Sequence, residues 1–480
     1  MQQKRLQKAT MIDFYLICLA LFSIISMIQN PKFTVASIFS LVYIFIIHKK
    51  FKENFVLAQL CSLILFGVLN SNIFFNVGGT VIYYFYILIF IYFVYAVIRL
   101  LKNTSELKKL FVNREFIVIM FFVLYAIASI FFSDSIGIAI SAIKSHIISI
   151  SLFAIVFIEA RNMENLKGVI KFFRYLLIGI LALSSIEIFG IRYGMVNHFE
   201  TSHLSPKVYP HIKRVPVSFF YNPNNFCVFL VGAMLILLGF IVYENNKLDY
   251  VLYFVSLINL IFGMSRTAWI TLVLTLVFGI AFFIINKDKI RAKKVGSIFI
   301  ATIIIIVGLS YVPQMKPFYG KMNQLKEMSE MEGDLNGIQL GQKGSINVRT
   351  TLIVDVLDGV FKEKNLLGFG SGNTSLYIRN LDNTYGIYNL HSFLLEILGD
   401  YGVIVFILFI AIYVKKAIEL FLIYIKNGKE DIKKYVFISG MLMFSLIFLS
   451  FAPSTVMNFP SFWILLAIPM GISSNKSLNK

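Results

Sequence analysis

Cysteine, acidic residues and charge in general are scarce in this chain of 480 residues, and each shortage removes a class of protein. Its three cysteines, Cys18, Cys61 and Cys227, lie in apolar runs without paired spacing, which excludes a disulfide framework and a cysteine zinc site. Charged residues make up 14% against 58% hydrophobic, with a mean hydropathy of +0.79, whereas a soluble domain is roughly 45–50% apolar. A water-soluble globular protein is thereby excluded. Acidic residues number 25 against 44 basic, a formal net charge of +19. The basic residues sit mostly in short connections between apolar runs, the arrangement of the positive-inside rule, so nucleic acid is not an expected partner. HExxH, Walker and GxSxG motifs are all missing, which removes the zinc-protease, P-loop and serine-hydrolase readings. No cofactor or metal is expected.

What the chain does contain is a long succession of apolar runs. Scanned with a window of about nineteen residues, they fall at about 11–28, 33–47, 55–75, 80–98, 115–132, 137–158, 169–189, 224–243, 249–264, 267–286, 295–312, 402–425, 435–452 and 456–473. The second is short, the sixth carries Lys144 and His146, and the twelfth is interrupted by Lys415 and Lys416. The expected fold is therefore all-α, a polytopic integral membrane protein with 12–14 transmembrane helices in a single membrane domain, 1–480. The first span follows a basic start with no small-residue cleavage site and reads as an uncleaved helix. With the N-terminus in the cytoplasm, 29 of the 44 Lys and Arg residues fall inside, and twelve of the other 15 lie in two long outer segments, 190–222 and 312–401. Both termini are expected inside, with the last spans and a cytoplasmic tail over 402–480.

The segment 312–401 is the one sizeable water-compatible stretch. Within it Ile353, Val356, Leu357, Val360 and Phe361 recur at helical spacing, with Asp355, Asp358 and Lys362 elsewhere around the wheel. This predicts an amphipathic helix over 348–362 that lies on the membrane or packs over the spans. The polar run KMNQLKEMSEMEGDLNGIQLGQK is expected to be its most mobile part, and GFGSGN, 368–373, a turn-rich hinge.

Four residues stand out as carriers of chemistry. His391 opens HSFLLEILGDYG, a short helix whose apolar face is Leu394, Leu395 and Leu398. A neutral imidazole there can take a proton from a sugar hydroxyl, or it can simply hydrogen-bond at a helix start. Arg266, in GMSRTAWI between two spans, is costly near hydrocarbon unless it has a function or snorkels as an interfacial anchor beside Trp269. Arg214 stands with His211 and Lys213 before the turn-forming Asn222, Pro223, Asn224 and Asn225, where a guanidinium suits a diphosphate or serves as plain interfacial charge. Arg349, at the start of the amphipathic helix, is a further cation. Glu187 is the one carboxylate well placed in an outer membrane half, with a structural hydrogen bond as its default role. The loop QNPK has no acidic residue, unlike the first outer loop of polyprenol-phosphate-sugar transferases.

Taken in order and spacing, RVPVSFFYNPNNF, SRTAWI, INVRTTLIVDVLDGVFKEKNLLGFGSGN and HSFLLEILGDYGVI resemble the motifs of the O-antigen ligase and polymerase family over about residues 210–410. That resemblance implies an inverting, metal-independent glycosyltransferase in the bacterial cytoplasmic membrane. It would act at the outer face on glycan carried by undecaprenyl diphosphate, in surface-polysaccharide biosynthesis. It puts His391 as the base on the acceptor hydroxyl and Arg214 and Arg266 on the diphosphate; Arg349 is added to them here as a further cation for the diphosphate. Membrane lipids, a flippase and a chain-length regulator are the further expected partners. Polymerisation of repeat units is the leading expectation, and ligation to a different acceptor the alternative. A polysaccharide flippase or exporter is the rival from another class; flippases keep charge inside their spans and have short outer loops, whereas polarity here is concentrated in one segment.

Overall fold

The computed structural model describes residues 2–78, 80–102, 114–195, 197–198, 210–316, 340–342, 345–475 and 478. The polar run 321–343 falls almost wholly outside them. The described residues form sixteen helices: α1 Gln2–Gln29, α2 Thr34–Phe51, α3 Phe55–Leu69, α4 Tyr84–Lys102, α5 Arg114–Ala128, α6 Ile136–Ala160, α7 Met163–Ile188, α8 Pro223–Glu244, α9 Lys247–Phe262, α10 Arg266–Ile285, α11 Lys289–Ser310, α12 Ser345–Leu357, α13 Thr374–Leu381, α14 Phe393–Lys426, α15 Glu430–Leu449 and α16 Pro460–Ser473. The protein is a polytopic helical membrane protein. Ten stretches are long and apolar enough to cross a bilayer, and α3, the 84–99 part of α4 and α16 are shorter apolar helices. Each of the fourteen expected spans coincides with a helix. α3 stops sooner than its apolar run, at Leu69, because Asn72 bends back to donate to Leu69 O at 2.9 Å and to Phe219 O at 2.8 Å. The chain then turns through an antiparallel hairpin, β1 Phe74–Val77 and β2 Thr80–Tyr83, with Phe74 opposite Tyr83.

α8 is the central rod, buried from Phe226 to Val242 and packed against α9, α10, α11, α15 and α16. Without water to drive helices together, close packing must hold them. Several charged side chains inside the bundle are paired. Lys416, expected to interrupt the twelfth span, is 2% exposed and reaches Glu115 at 2.6 Å, Glu419 at 2.8 Å and Ser474 at 2.7 Å. Arg99 pairs with Glu159, Arg174 with Asp249, Lys434 with Glu244 and Arg291 with Glu430. All of these lie at the end of the bundle that carries the α6–α7, α8–α9, α10–α11 and α14–α15 turns. The opposite end carries the candidate residues.

Over that end sits a second, small core. α12 runs into a π-helical turn, Asp358–Lys362, and Val348, Leu352, Val356 and Val360 cluster with Ile378 of α13, Leu395 and Leu398 of α14, and Phe369 and Leu390 from the connections before those helices. The buried ridge is thus rotated from the expected one: Leu357 and Phe361 are 37% and 51% exposed. An i, i+4 ridge suits two flanking helices better than a broad apolar face, and the π turn carries the ridge on to Val360. Burying each of these side chains contributes roughly 1.5–3 kcal/mol, which fixes the layer over the bundle.

GFGSGN is a pinned crossing where a hinge was expected. Phe369 N donates to Gly399 O at 2.8 Å, Gly370 N to Asp400 O at 3.0 Å and Val403 N to Leu366 O at 3.0 Å. The Asp400 carboxylate, buried in α14, accepts from Gly372 N at 2.7 Å and Thr374 Oγ1 at 2.6 Å. Backbone meets backbone so closely that a Cβ on Gly402 would lie 2.2 Å from Leu366 O, and Gly402 has φ of 74°. This glycine breaks α14, so the short helix after His391 and the following span are one kinked rod.

Candidate active site

His391 does not open the helix. It lies two residues before Phe393, in left-handed conformation at φ 50°, and Ser392 is the N-cap, accepting from Leu395 N at 3.4 Å. A non-glycine residue held there costs on the order of 1 kcal/mol, and surrounding bonds must enforce it. They come from the 450–459 connection between α15 and α16: His391 N donates to Ser454 O at 3.3 Å, and Nδ1 lies 3.2 Å from Pro453 O. A carbonyl can only accept, so Nδ1 carries the proton and Nε2 the lone pair of the neutral ring. Burial pushes the imidazole pKa down to about 4, helped by the Arg349 guanidinium and by His198, while the Pro453 carbonyl acts in the opposite sense. The ring is accordingly held neutral at physiological pH.

Arg349, on the first turns of α12, donates Nη1 to Phe451 O at 3.4 Å, so it leans on the same connection. Burial and the neighbouring Arg266 both lower its affinity for a proton. Arg266 is the first residue of α10, after Ser265 and the left-handed Met264, where the helix dipole adds to its positive field. Trp269 in the same turn is buried, and its Nε1 donates to Leu260 O at 2.8 Å, locking the start of α10 to the end of α9. The Arg349 guanidinium thus lies in electrostatic range of both Arg266 and the His391 imidazole.

Arg214 is not gathered into this cluster. It is exposed at the end of the 3-10 turn Pro210–Arg214, and among the described residues no hydrogen bond or ion pair joins it to the other three. The segment after it is firmly built. Glu187 accepts from Val217 N at 2.8 Å and Ser218 N at 2.7 Å, and pairs with Arg192 at 2.7 Å. Arg192 in turn donates to Val215 O at 2.9 Å. Glu187 therefore has the structural role expected of it, as the anchor of the Arg214 loop. Beyond that loop Asn222 caps α8 and reaches Ser454 Oγ at 3.2 Å.

Sequence reasoning missed two contributors. The 450–459 connection touches His391, Arg349 and Asn222, yet most of it falls within the apolar runs expected to be the last two spans, 435–452 and 456–473. His198, whose N–H donates to Tyr221 O at 2.9 Å and whose ring meets the Tyr221 ring edge-on at 5.5 Å, influences His391 from the 190–222 segment. Only its lone position before a basic cluster could have drawn notice. Among the described residues no group of three or more His, Cys, Asp or Glu stands together as a metal site.

The stretch from α9 to the kink of α14 has a recognisable character. Residues 251–410 match the O-antigen ligase family. The matched segment contains Arg266, Arg349 and His391, and Arg214 precedes it. No curated protein matches the chain.

Proposed function

We propose that the chain is a glycosyltransferase that polymerises undecaprenyl-diphosphate-linked repeat units at the outer face of the bacterial cytoplasmic membrane, in surface-polysaccharide synthesis. The observation that carries this reading is His391, its Nδ1 held by the Pro453 carbonyl, sharing the 451–454 connection with Arg349, which in turn lies in electrostatic range of Arg266. In the reaction, His391 Nε2 takes the proton of the acceptor hydroxyl as its oxygen attacks the anomeric carbon from the face opposite the diphosphate. The bond from that carbon to the phosphate oxygen breaks, its electron pair leaves on the diphosphate, and the configuration inverts. Arg266 and Arg349 hold the developing charge, a task that elsewhere falls to a metal ion. Arg214, exposed on its rigid loop, meets the diphosphate as it enters.

An apolar groove supports a lipid-borne donor. It is lined by α5, α6, α14 and α16, from Phe393, two residues after His391, to Lys416 at the far end. A polyprenyl tail lying there would present its diphosphate at the arginines. In this orientation 190–222 and 312–401 face outward and both termini are cytoplasmic, so a flippase would deliver the donor and a chain-length regulator would share the outer layer.

Purified protein reconstituted with a lipid-linked repeat unit tests the proposal. Longer glycan from the donor alone is expected, and none from His391→Gln, which keeps size and hydrogen bonding but is no base. Transfer only to a second, different acceptor would make the protein a ligase. Movement of the repeat unit across the bilayer without glycan growth would make it a flippase.

A further inference from the structure

The catalytic reading leaves unused a carboxylate buried one turn inside α14. Glu396 is 7% exposed. Its Oε2 accepts from Val456 N at 3.0 Å and Met457 N at 3.3 Å, and the Thr455 side chain also donates to the carboxylate. All three partners belong to the connection whose preceding residues supply the Phe451 carbonyl to Arg349, the Pro453 and Ser454 carbonyls to His391, and the Ser454 hydroxyl to Asn222. The other carboxylate on this stretch of α14, Asp400, is committed to the glycine crossing. Trp463 Nε1, donating to Met457 O at 3.2 Å, closes the far end of the connection on α16.

We infer that Glu396 is a positioning residue for His391, acting through the 451–457 strap. It closes a ring: from His391 along the first turn of α14 to Glu396, across to 455–457, and back through 453–454 to the imidazole. A plain loop anchor would need only to bind its loop. This one fixes the carbonyl that dictates which ring nitrogen is the base, and the backbone acceptor that holds His391 left-handed. Proton transfer needs the acceptor oxygen about 2.6–3.2 Å from Nε2, and a misplacement of about 1 Å costs about 10²-fold. A glutamate on the first turn of a helix is also favoured by the dipole, so the anchor sits where a carboxylate is least costly to keep.

The inference rests on His391 being the base, and the experiment separates the two. With full-length reconstituted protein and lipid-linked donor, Glu396→Leu, which cannot accept the amide hydrogens, is expected to lower kcat about 10²-fold with KM for the donor unchanged. Glu396→Gln, whose carbonyl still accepts, is expected to retain activity within a few-fold. In a His391→Ala background Glu396→Leu is expected to add nothing, because a residue acting only through another is non-additive with it. If Glu396→Leu accumulates poorly, Thr455→Val, which removes one donor from the strap side, replaces it, with a several-fold loss in kcat at constant KM. Normal turnover in the variant used, a loss confined to KM, or full additivity with His391→Ala overturns the positioning role. A wild-type rate in His391→Ala alone overturns the base assignment instead.

Discussion

The sharpest consequence of the site concerns its response to acid. An ordinary histidine, with pKa about 6.5, would be only about 3% neutral at pH 5, whereas a ring whose pKa lies at about 4 is about 90% neutral there, a difference of about 30-fold in available base. The same gap corresponds to about 3 kcal/mol of preference for the neutral ring. The acid limb of kcat/KM, which reports the free enzyme, is therefore expected far below 6.5, with activity nearly flat from pH 7 to 5. Removing a neighbouring cation must raise the pKa, so Arg349→Gln should move the limb upward while lowering the overall rate. Bound diphosphate screens the same arginine, so the limb of kcat is expected above that of kcat/KM in the wild type. Initial rates of glycan formation between pH 4 and 8 in reconstituted vesicles, normalised for each variant, read all three. A kcat/KM limb at 6.5 in the wild type, or a downward movement in Arg349→Gln, would refute the electrostatic account of His391.

Other outcomes follow from the same geometry. Arg266→Ala should reduce glycan formation at least about 10²-fold at normal protein abundance, and Arg266→Lys should recover little, since a point charge lacks the guanidinium fork; product measured by gel checks both. Gly402→Ala places a Cβ against Leu366 O at a positive φ, so it should lower the unfolding temperature in detergent, whereas Gly428→Ala, in the open α14–α15 connection, should not. Impermeant thiol reagents applied to intact cells should label Lys213→Cys and Lys362→Cys but neither Lys289→Cys nor Lys429→Cys. Labelling of the last pair would reverse the proposed orientation.

Much of the architecture was legible because the bilayer imposes a simple rule on sequence. A helix that must satisfy its backbone in hydrocarbon needs a long apolar run, and such runs can be read one at a time. All fourteen expected spans are helices for this reason. Arg266 stood out as a candidate because a cation between apolar runs is costly, whereas His391 and Arg349 were picked from within the polar segment. Contacts between distant segments leave no such local mark. Whether GFGSGN hinges or locks depends on the backbone of 399–403 lying against it. Which ridge of α12 is buried depends on α13 and α14 meeting it from two sides, and the sequence pattern alone favoured a face that includes Leu357 and Phe361.

The sequence by itself determined the class of molecule and the order of its apolar helices, and it singled out the candidate side chains. Only the tertiary structure decided that three of the four candidates cluster while Arg214 stays exposed, and that His391 is neutral with its Nδ1 committed. The physical reason is that charge state and orientation are set by burial and by neighbours through space. For His391 those neighbours are Arg349, His198 and the Pro453 carbonyl, which reach it from three different parts of the chain.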